Sequence, residues 1–494
     1  MKIIKLTLLL LIFVSCNKDN KDLTESLKDT KTLIQGHIKN YKNSDEQKQV
    51  TLYFNNEILQ QQSFKIDIDS LGNFKTEIDL PFQQDVNIYY KGWLTFIVKP
   101  SDSISFSIDG SRNKSKDIFE SLVLNGDSKR INKSLHKFIK NDTLLNNYYD
   151  DFSKLEPNTF LNYHDSIFTK RNEYITKFIS KNSDIDAGLK NYLKAEKDIT
   201  PIEKILEFPM YFEMYNREKS KSIEYPDSFF ASLKNLPKID YKIMVNGNVS
   251  GFGNHLLFYY YKKLDKQSGK FDKANRDSLI VKTISNDFKD NTVVAQLAIN
   301  DRIKSDLAAM NLDFAESQEA QLQLLYGKSH LGKAIFKNIE DTKKAIENPP
   351  VPKDVQLLAF DSKNPEDFLQ EIINNANGKI IYIDNWGPWC APCRSEFKTA
   401  TPKLKERFGD KIEYVYICHL SEEKPWKSSI AKYGLSGKHY IVTKEQTEKM
   451  RQSFKINGYP TYNIIDVNGN MLHAGFEYRP SLPNTIEILD KLVN

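Results

Sequence analysis

The stretch Trp386-Gly387-Pro388-Trp389-Cys390-Ala391-Pro392-Cys393 follows the apolar run Ile380-Ile381-Tyr382-Ile383 after only Asp384 and Asn385, and it constrains this 494-residue chain more than any other. A strand that ends in a tight turn and delivers two cysteines to the start of a helix is the setting for thiol-disulfide exchange. A helix begun at Cys390 places that sulfur over unpaired N–H groups and the positive end of the helix dipole, and both favour thiolate over thiol. Cys390 is then the expected nucleophile. Cys393, one helical turn on and deeper, is the expected resolving thiol.

The length accommodates about three domains of ~150 residues each. Met1 to Ser15 reads as a secretory signal, with Lys2 and Lys5 ahead of an apolar run from Leu6 to Val14 and a small residue just before Cys16. The run is too short to span a bilayer, which needs ~20 apolar residues. A cysteine in this place resembles a bacterial lipoprotein lipobox, in which Cys16 becomes the acylated first residue. Phe13-Val14-Ser15 departs from the usual leucine in a way that Bacteroidetes-type lipoproteins often show. An ordinary signal peptide with a chance cysteine is the alternative. Residues 16–31 read as a polar tether behind the lipid, and the periplasmic face is favoured over the cell surface.

The chain carries 70 basic and 65 acidic side chains; without the two lysines of the signal, 68 remain against 65, a net charge of +3. The lysines are interleaved with acids, so no nucleic-acid patch is signalled. With Cys16 acylated, only Cys390, Cys393 and Cys418 remain as thiols, too few for a structural disulfide framework.

Residues 32–126 alternate with the period of strands: Leu33–Ile38, Gln49–Phe54, Phe64–Ile68, Phe74–Ile78, Val86–Tyr90, Thr95–Val98 and Ser103–Ile108. They predict a small antiparallel sandwich, in which Phe74–Ile78 returns on Phe64–Ile68 as a hairpin across Ser70-Leu71-Gly72-Asn73. The Gly36 strand, that turn and Lys99-Pro100-Ser101-Asp102-Ser103 resemble the β-sandwich domain found ahead of the thioredoxin domain in many Bacteroidetes lipoproteins. Residues 127–348 switch to helical period. The face made by Ile167, Phe168, Tyr174, Ile175, Phe178 and Ile179 marks one amphipathic helix, and Pro201, Pro209, Pro226 and Pro237 are expected to punctuate the series. None of the eight histidines pairs at i and i+4, so a helical zinc site is not indicated.

Asn348-Pro349-Pro350-Val351-Pro352 reads as a stiff linker. Residues 349–494 then alternate strand and helix, with one helix expected over Ala391–Phe408. A closing hairpin crosses Val467-Asn468-Gly469-Asn470, where Asn-Gly suits a type I′ turn. Gly458-Tyr459-Pro460-Thr461 places a proline just before an apolar strand and about 70 residues after the cysteines. Asp384 stands six residues before Cys390 on the strand that leads to it. Buried there, its carboxyl would be raised in pKa and able to exchange a proton with Cys393; a solvent-facing strand end is the alternative. Glu396 lies one turn beyond Cys393. Cys418, next to His419, suggests a buried structural thiol or, less readily, a Cys-His metal site.

With these residues in view, residues 351–494 resemble a TlpA/ResA-like thiol-disulfide oxidoreductase, and the whole layout resembles the thioredoxin-like lipoproteins of Bacteroidetes. The resemblance implies an N-terminal β-sandwich, a central all-α domain and a C-terminal α/β thioredoxin-like fold. It implies that Pro460 is cis and faces the cysteines, that Trp389, Tyr459, Pro460 and Thr461 bind substrate, and that Glu396 tunes the two thiols. One departure is Lys398, where the family usually has a proline; Pro402 follows a turn later, so the kink is expected to move. The implied activity is reduction of protein disulfides in the cell envelope. It proceeds through a mixed disulfide on Cys390, with an upstream membrane thiol donor and no cofactor beyond the Cys390/Cys393 pair. Oxidase or isomerase activity is the nearest alternative. A ligand-binding lipoprotein that uses the thioredoxin-like domain as a scaffold is the alternative from another class.

Overall fold

The computed structural model describes residues 31–493 apart from 146–147, 149–153, 183, 217–224, 226, 269–272 and 328. The signal segment, Cys16 and the tether up to residue 30 lie outside the described residues.

Eight strands build the first layer pair: β1 (Thr32–Lys39), β2 (Gln49–Asn55), β3 (Gln61–Asp67), β4 (Asn73–Ile78), β5 (Gln84–Tyr89), β6 (Trp93–Val98), β7 (Ser103–Asp109) and β8 (Val123–Asn125). The two sheets run β4-β1-β7-β8 and β3-β2-β5-β6. Alternate residues such as Ile34, Ile38, Leu52, Val86, Ile88, Phe96 and Ile104 fill the space between them. One pair, β1 with β7, is parallel.

The expected β3–β4 hairpin does not form. The turn is there, with Asp69 accepting from the N–H groups of Leu71 at 2.9 Å and Asn73 at 2.8 Å, and with Gly72 at φ +84°. The strands on either side of it enter opposite sheets, β3 against β2 and β4 against β1. Turn chemistry fixes only the chain reversal. The choice of sheet follows from Gly36: it pairs with Phe74 across β1 and β4, and a Cβ there would stand 2.3 Å from the Phe74 ring. The bare glycine is what admits the aromatic.

Helices follow: α1 (Ser115–Glu120), α2 (Lys129–Asn141), α3 (Pro157–Lys181), α4 (Ala187–Asp198), α5 (Thr200–Tyr215), α6 (Asn248–Ser268), α7 (Lys273–Asp287), α8 (Thr292–Ala308), α9 (Asp313–Ser317), α10 (Glu319–Tyr326) and α11 (His330–Glu347). Leu135 of α2, Ile175 of α3 and Leu189 and Leu193 of α4 share a core with Ile97 of β6, so the first helices pack directly on the sandwich. Pro209 does not end a helix as expected but sits inside α5. Its neighbour Phe208 stacks on Phe160 with centroids 3.9 Å apart, and burial of such aromatics outweighs the ~3 kcal/mol cost of an interior proline. The chain divides into two compact units, one ending at His255 and the other beginning at Leu256, within α6.

The second unit ends in β9 (Val355–Leu358), α12 (Phe368–Asn375), β10 (Ile380–Trp386), α13 (Ala391–Thr399), α14 (Thr401–Phe408), β11 (Ile412–His419), α15 (Glu423–Tyr433), β12 (Gly437–Val442), α16 (Lys444–Met450), β13 (Thr461–Ile465), β14 (Met471–Gly475) and α17 (Pro483–Val493). The sheet order is β14-β13-β10-β11-β12-β9, parallel from β10 to β9 and antiparallel through β13 and β14. Period-two alternation sorts its side chains. Tyr382, Trp386, Tyr416, Cys418 and Tyr462 face one core, and Ile381, Ile383, Val415, Ile417 and Ile465 face the other. The single helix expected over Ala391–Phe408 is two, broken at Ala400, because Pro402 in the first turn of α14 cannot donate to the preceding turn. The closing hairpin does not use a type I′ turn. Of its central residues only Gly469 has positive φ, and the Asp466 carboxylate takes the N–H groups of Asn468 and Asn470 instead. Within this unit Lys432 Nζ of α15 lies 3.5 Å from Met310 Sδ.

Candidate functional site

β10 is buried along its whole length, and the loop behind it carries the dithiol to the head of α13. Cys390 and Cys393 are joined as a disulfide with Cα atoms 5.3 Å apart. Cys390 caps α13, and its sulfur accepts the Cys393 N–H at 3.2 Å. Its own N–H donates to the Gly387 carbonyl at 2.9 Å. Cys393 is fully buried and Cys390 nearly so, while Ala391 and Pro392 stand exposed beside them. A sulfur set over helix N–H groups is favoured as thiolate once the bond is reduced.

Trp389 is 43 % exposed, yet its indole N–H is held by the carbonyls of His419 at 3.2 Å and Leu420 at 3.1 Å. Gly387 makes this possible, since a Cβ there would meet Trp389 Nε1 at 2.5 Å and the His419 carbonyl at 2.9 Å. The Tyr459–Pro460 bond is cis. The Tyr459 ring stands edge-on to Trp389 at 5.2 Å, which brings the loop before β13 against the dithiol loop. Pro460 and Thr461 are buried, and the Thr461 hydroxyl donates to the Gly458 carbonyl at 2.7 Å. A cavity of about 700 Å³ opens beside Trp389, lined by Met310, Leu312, Leu420 and Pro425 among others.

Alternation along β10 puts Asp384 on the face of Tyr382 and Trp386, the side packed by Cys390, Cys393 and Phe397. It is buried, and its Oδ1 has no hydrogen-bond partner. Burial pushes its carboxyl well above the usual range, and the nearby Glu396 charge adds to the rise. Glu396 is buried too. Both its oxygens accept from Ser481, from the N–H at 2.9 Å and from the hydroxyl at 2.7 Å. Sequence reasoning missed Ser481, which lies 85 positions away, and missed Arg394, whose guanidinium donates to the Pro388 carbonyl at 2.5 Å and braces the dithiol loop.

Cys418 and His419 point to opposite faces of β11. Cys418 is buried in the core that holds the dithiol, where burial raises its pKa, and the His419 ring bonds to Asn385 and Thr447. The two side chains therefore form no joint site. Among the described residues, Glu203, Glu207 and His255 bring three metal-capable groups together. Lys204 Nζ already lies 2.9 Å from Glu203 and 2.8 Å from Glu207, so an ammonium fills the place a cation would take. No helix among the described residues is long and apolar enough to cross a membrane.

Residues 377–471 match the thioredoxin-like family. The chain is 27 % identical over 121 residues to the thioredoxin-like protein YneN of Bacillus subtilis, covering 24 % of this chain and 68 % of that protein. It is 23 % identical over 138 residues to the thiol-disulfide oxidoreductase ResA of Oceanobacillus iheyensis, covering 28 % and 69 %. It is similar to the crystal structure of the thioredoxin domain of a thiol-disulfide oxidoreductase from Bacteroides vulgatus at 23 % identity and a TM-score of 0.22, covering 24 % of this chain and 84 % of that one.

Proposed function

We propose that the protein reduces disulfides of other proteins in the cell envelope, a reading supported by the thioredoxin-like match of residues 377–471 and by the similarity to YneN and ResA. The observation that carries this reading is the Cys390–Cys393 disulfide at the head of α13, with the Cys393 N–H on the Cys390 sulfur. In the reduced enzyme the Cys390 thiolate attacks one sulfur of a substrate disulfide, forming a mixed disulfide and expelling the other sulfur as a thiolate. The Cys393 thiolate then attacks Cys390. That step re-forms the internal disulfide and releases the second substrate thiol, so two electrons and two protons pass to substrate. An upstream membrane dithiol donor resets the pair.

Asp384, buried with a raised pKa, takes the proton of Cys393 in the second step. Trp389, Tyr459, Pro460 and Thr461 meet the substrate chain, and the cavity beside Trp389 offers room for it. Lipid attachment at Cys16 keeps the reaction at the membrane, with residues 16–31 as tether and the three-part layout 32–126, 127–348 and 349–494 above it.

The test is reduction of insulin by the soluble chain from residue 17 onward and by Cys390→Ser. Equal, background-level rates would overturn the reading. Cys393→Ser should instead trap the mixed disulfide on Cys390. Equilibration with glutathione fixes the direction, and a potential well to the oxidising side of ~-200 mV would make the protein an oxidant.

A further inference from the structure

The reaction as written leaves unused a run of buried polar side chains on the face of the sheet opposite the cysteines. Asn385, His419, Thr447 and Asn463 are each 0 % exposed. Their partners fix how each is oriented. Asn463 Nδ2 donates to the Phe454 carbonyl at 2.8 Å, which leaves its oxygen to face Asn385. Asn385 Nδ2 donates to that oxygen at 2.8 Å and to the Thr461 carbonyl at 3.0 Å. Asn385 Oδ1 can only accept, and it lies 3.2 Å from His419 Nε2. His419 therefore carries its proton on Nε2, and the bare Nδ1 accepts from the Thr447 hydroxyl at 3.1 Å. Burial, aided by the charge of Arg451, holds the imidazole down to a pKa of about 3, so this neutral tautomer persists.

The run ends on the groups that flank the dithiol. Thr461, held through Asn385, follows directly on cis-Pro460. The His419 ring packs on Tyr459 with centroids 5.2 Å apart, and its carbonyl takes the Trp389 indole N–H. Apart from the bond to Thr447 on α16, the contacts of Asn385 and His419 lead to the start of β13 and the segment before it or to the loop before α13.

We propose that His419 is a positioning residue for disulfide exchange. Its Nε2–H sets Asn385 and so Thr461, and its ring sets Tyr459, so that the 459–461 segment and Trp389 present one fixed register to a substrate disulfide at Cys390. The inference rests on the oxidoreductase reading above. Attack on a disulfide needs near-linear alignment of three sulfurs, which makes the rate sensitive to sub-ångström shifts in the segment that holds the substrate.

The experiment uses the soluble chain from residue 17 onward with both cysteines intact. His419→Phe keeps a ring against Tyr459 and loses both hydrogen bonds. His419→Gln keeps an amide donor where Nε2 stands, and His419→Asn keeps only an acceptor toward Thr447. Two rates are read: kcat/KM for insulin, and reduction of the Cys390–Cys393 disulfide by dithiothreitol, a small thiol that needs no register. The expected result is a loss of about 10-fold or more in kcat/KM for insulin in the Asn variant, which lacks both ring and Nε2 donor, smaller losses in Phe, which keeps the ring, and in Gln, which keeps the donor, and unchanged rates with dithiothreitol in all three. Equal losses in both reactions, wild-type rates throughout, or no difference between Gln and Asn would each overturn the inference. Should the Phe variant not fold, the Gln and Asn pair decides alone. A wild-type protein no faster than Cys390→Ser on insulin overturns the activity reading itself, and this inference with it.

Discussion

Glu396 and Ser481 are joined twice, the Ser481 N–H donating to one carboxylate oxygen at 2.9 Å and its hydroxyl to the other at 2.7 Å. The bonds tie α13, which Cys390 caps and which contains Cys393, to the segment leading into α17. Ser481→Ala removes the hydroxyl and keeps the N–H. A hydrogen bond to a charged group contributes about 1.5–3 kcal/mol, so the variant should unfold at lower denaturant with an unchanged m-value. A midpoint equal to that of the parent protein would show that the hydroxyl is energetically idle.

Asp384 keeps its proton in the folded state at pH values where an unfolded aspartate has lost it. The stabilising effect of that proton is therefore fully present below about pH 4 and is lost as pH rises through the raised folded value. Asp384→Asn should gain stability over the parent protein on the alkaline side, by about 1.4 kcal/mol for each unit of raised pKa, while slowing insulin reduction. Chemical denaturation at acid and alkaline pH measures the first effect; no gain at alkaline pH would contradict it. Glu396→Gln removes the second cause of the rise, so the pH–rate profile should move to lower pH.

Gly387→Ala places a methyl group 2.5 Å from Trp389 Nε1 and 2.9 Å from the His419 carbonyl. The indole can swing away, whereas the carbonyl belongs to β11 and cannot. The expected cost is about 1–3 kcal/mol of stability together with the loss of the Trp389 hydrogen bonds. Thermal unfolding and insulin reduction should fall together; an unaltered protein would mean that the loop has slack the close contacts do not suggest.

Asp85 is buried in the first unit, accepts the Gly247 N–H at 2.9 Å, and is pushed by burial to a pKa of about 7. Unfolded, it titrates near 3.8, so its protonated form stabilises the fold fully below that value and the contribution disappears as pH rises through about 7. Asp85→Asn can still accept that N–H through its oxygen, and its unfolding temperature should fall less than the parent's between mildly acid and mildly alkaline pH. Parallel curves for the two proteins would rule this out.

Local chemistry was legible in the residues themselves. The buried run Ile380–Ile383, the turn and the two cysteines name strand, loop and helix without outside help, and the strand segments from Leu33 to Ile108 appear with small shifts at their ends. What stayed hidden was decided by distant partners. The β3–β4 turn reads correctly as a reversal, but the sheet that receives β4 is chosen by the space above Gly36. Asp384 is ambiguous in facing until the strand register is known. The partner of Glu396 enters from 85 positions on, and the Asn385–His419–Thr447 run joins residues from three separate elements, so no spacing rule could have found it.

The dithiol fold shares its compact unit with α7 to α11, and Lys432 of α15 rests against Met310 just beyond α8. A gene fragment cut at the proline run before β9 would encode the whole hydrogen-bonded sheet and both cysteines, yet it would strip the cover from α15. Such a fragment should retain its redox chemistry while becoming prone to self-association. For cloning, the safer seam lies upstream of the helices that travel with it.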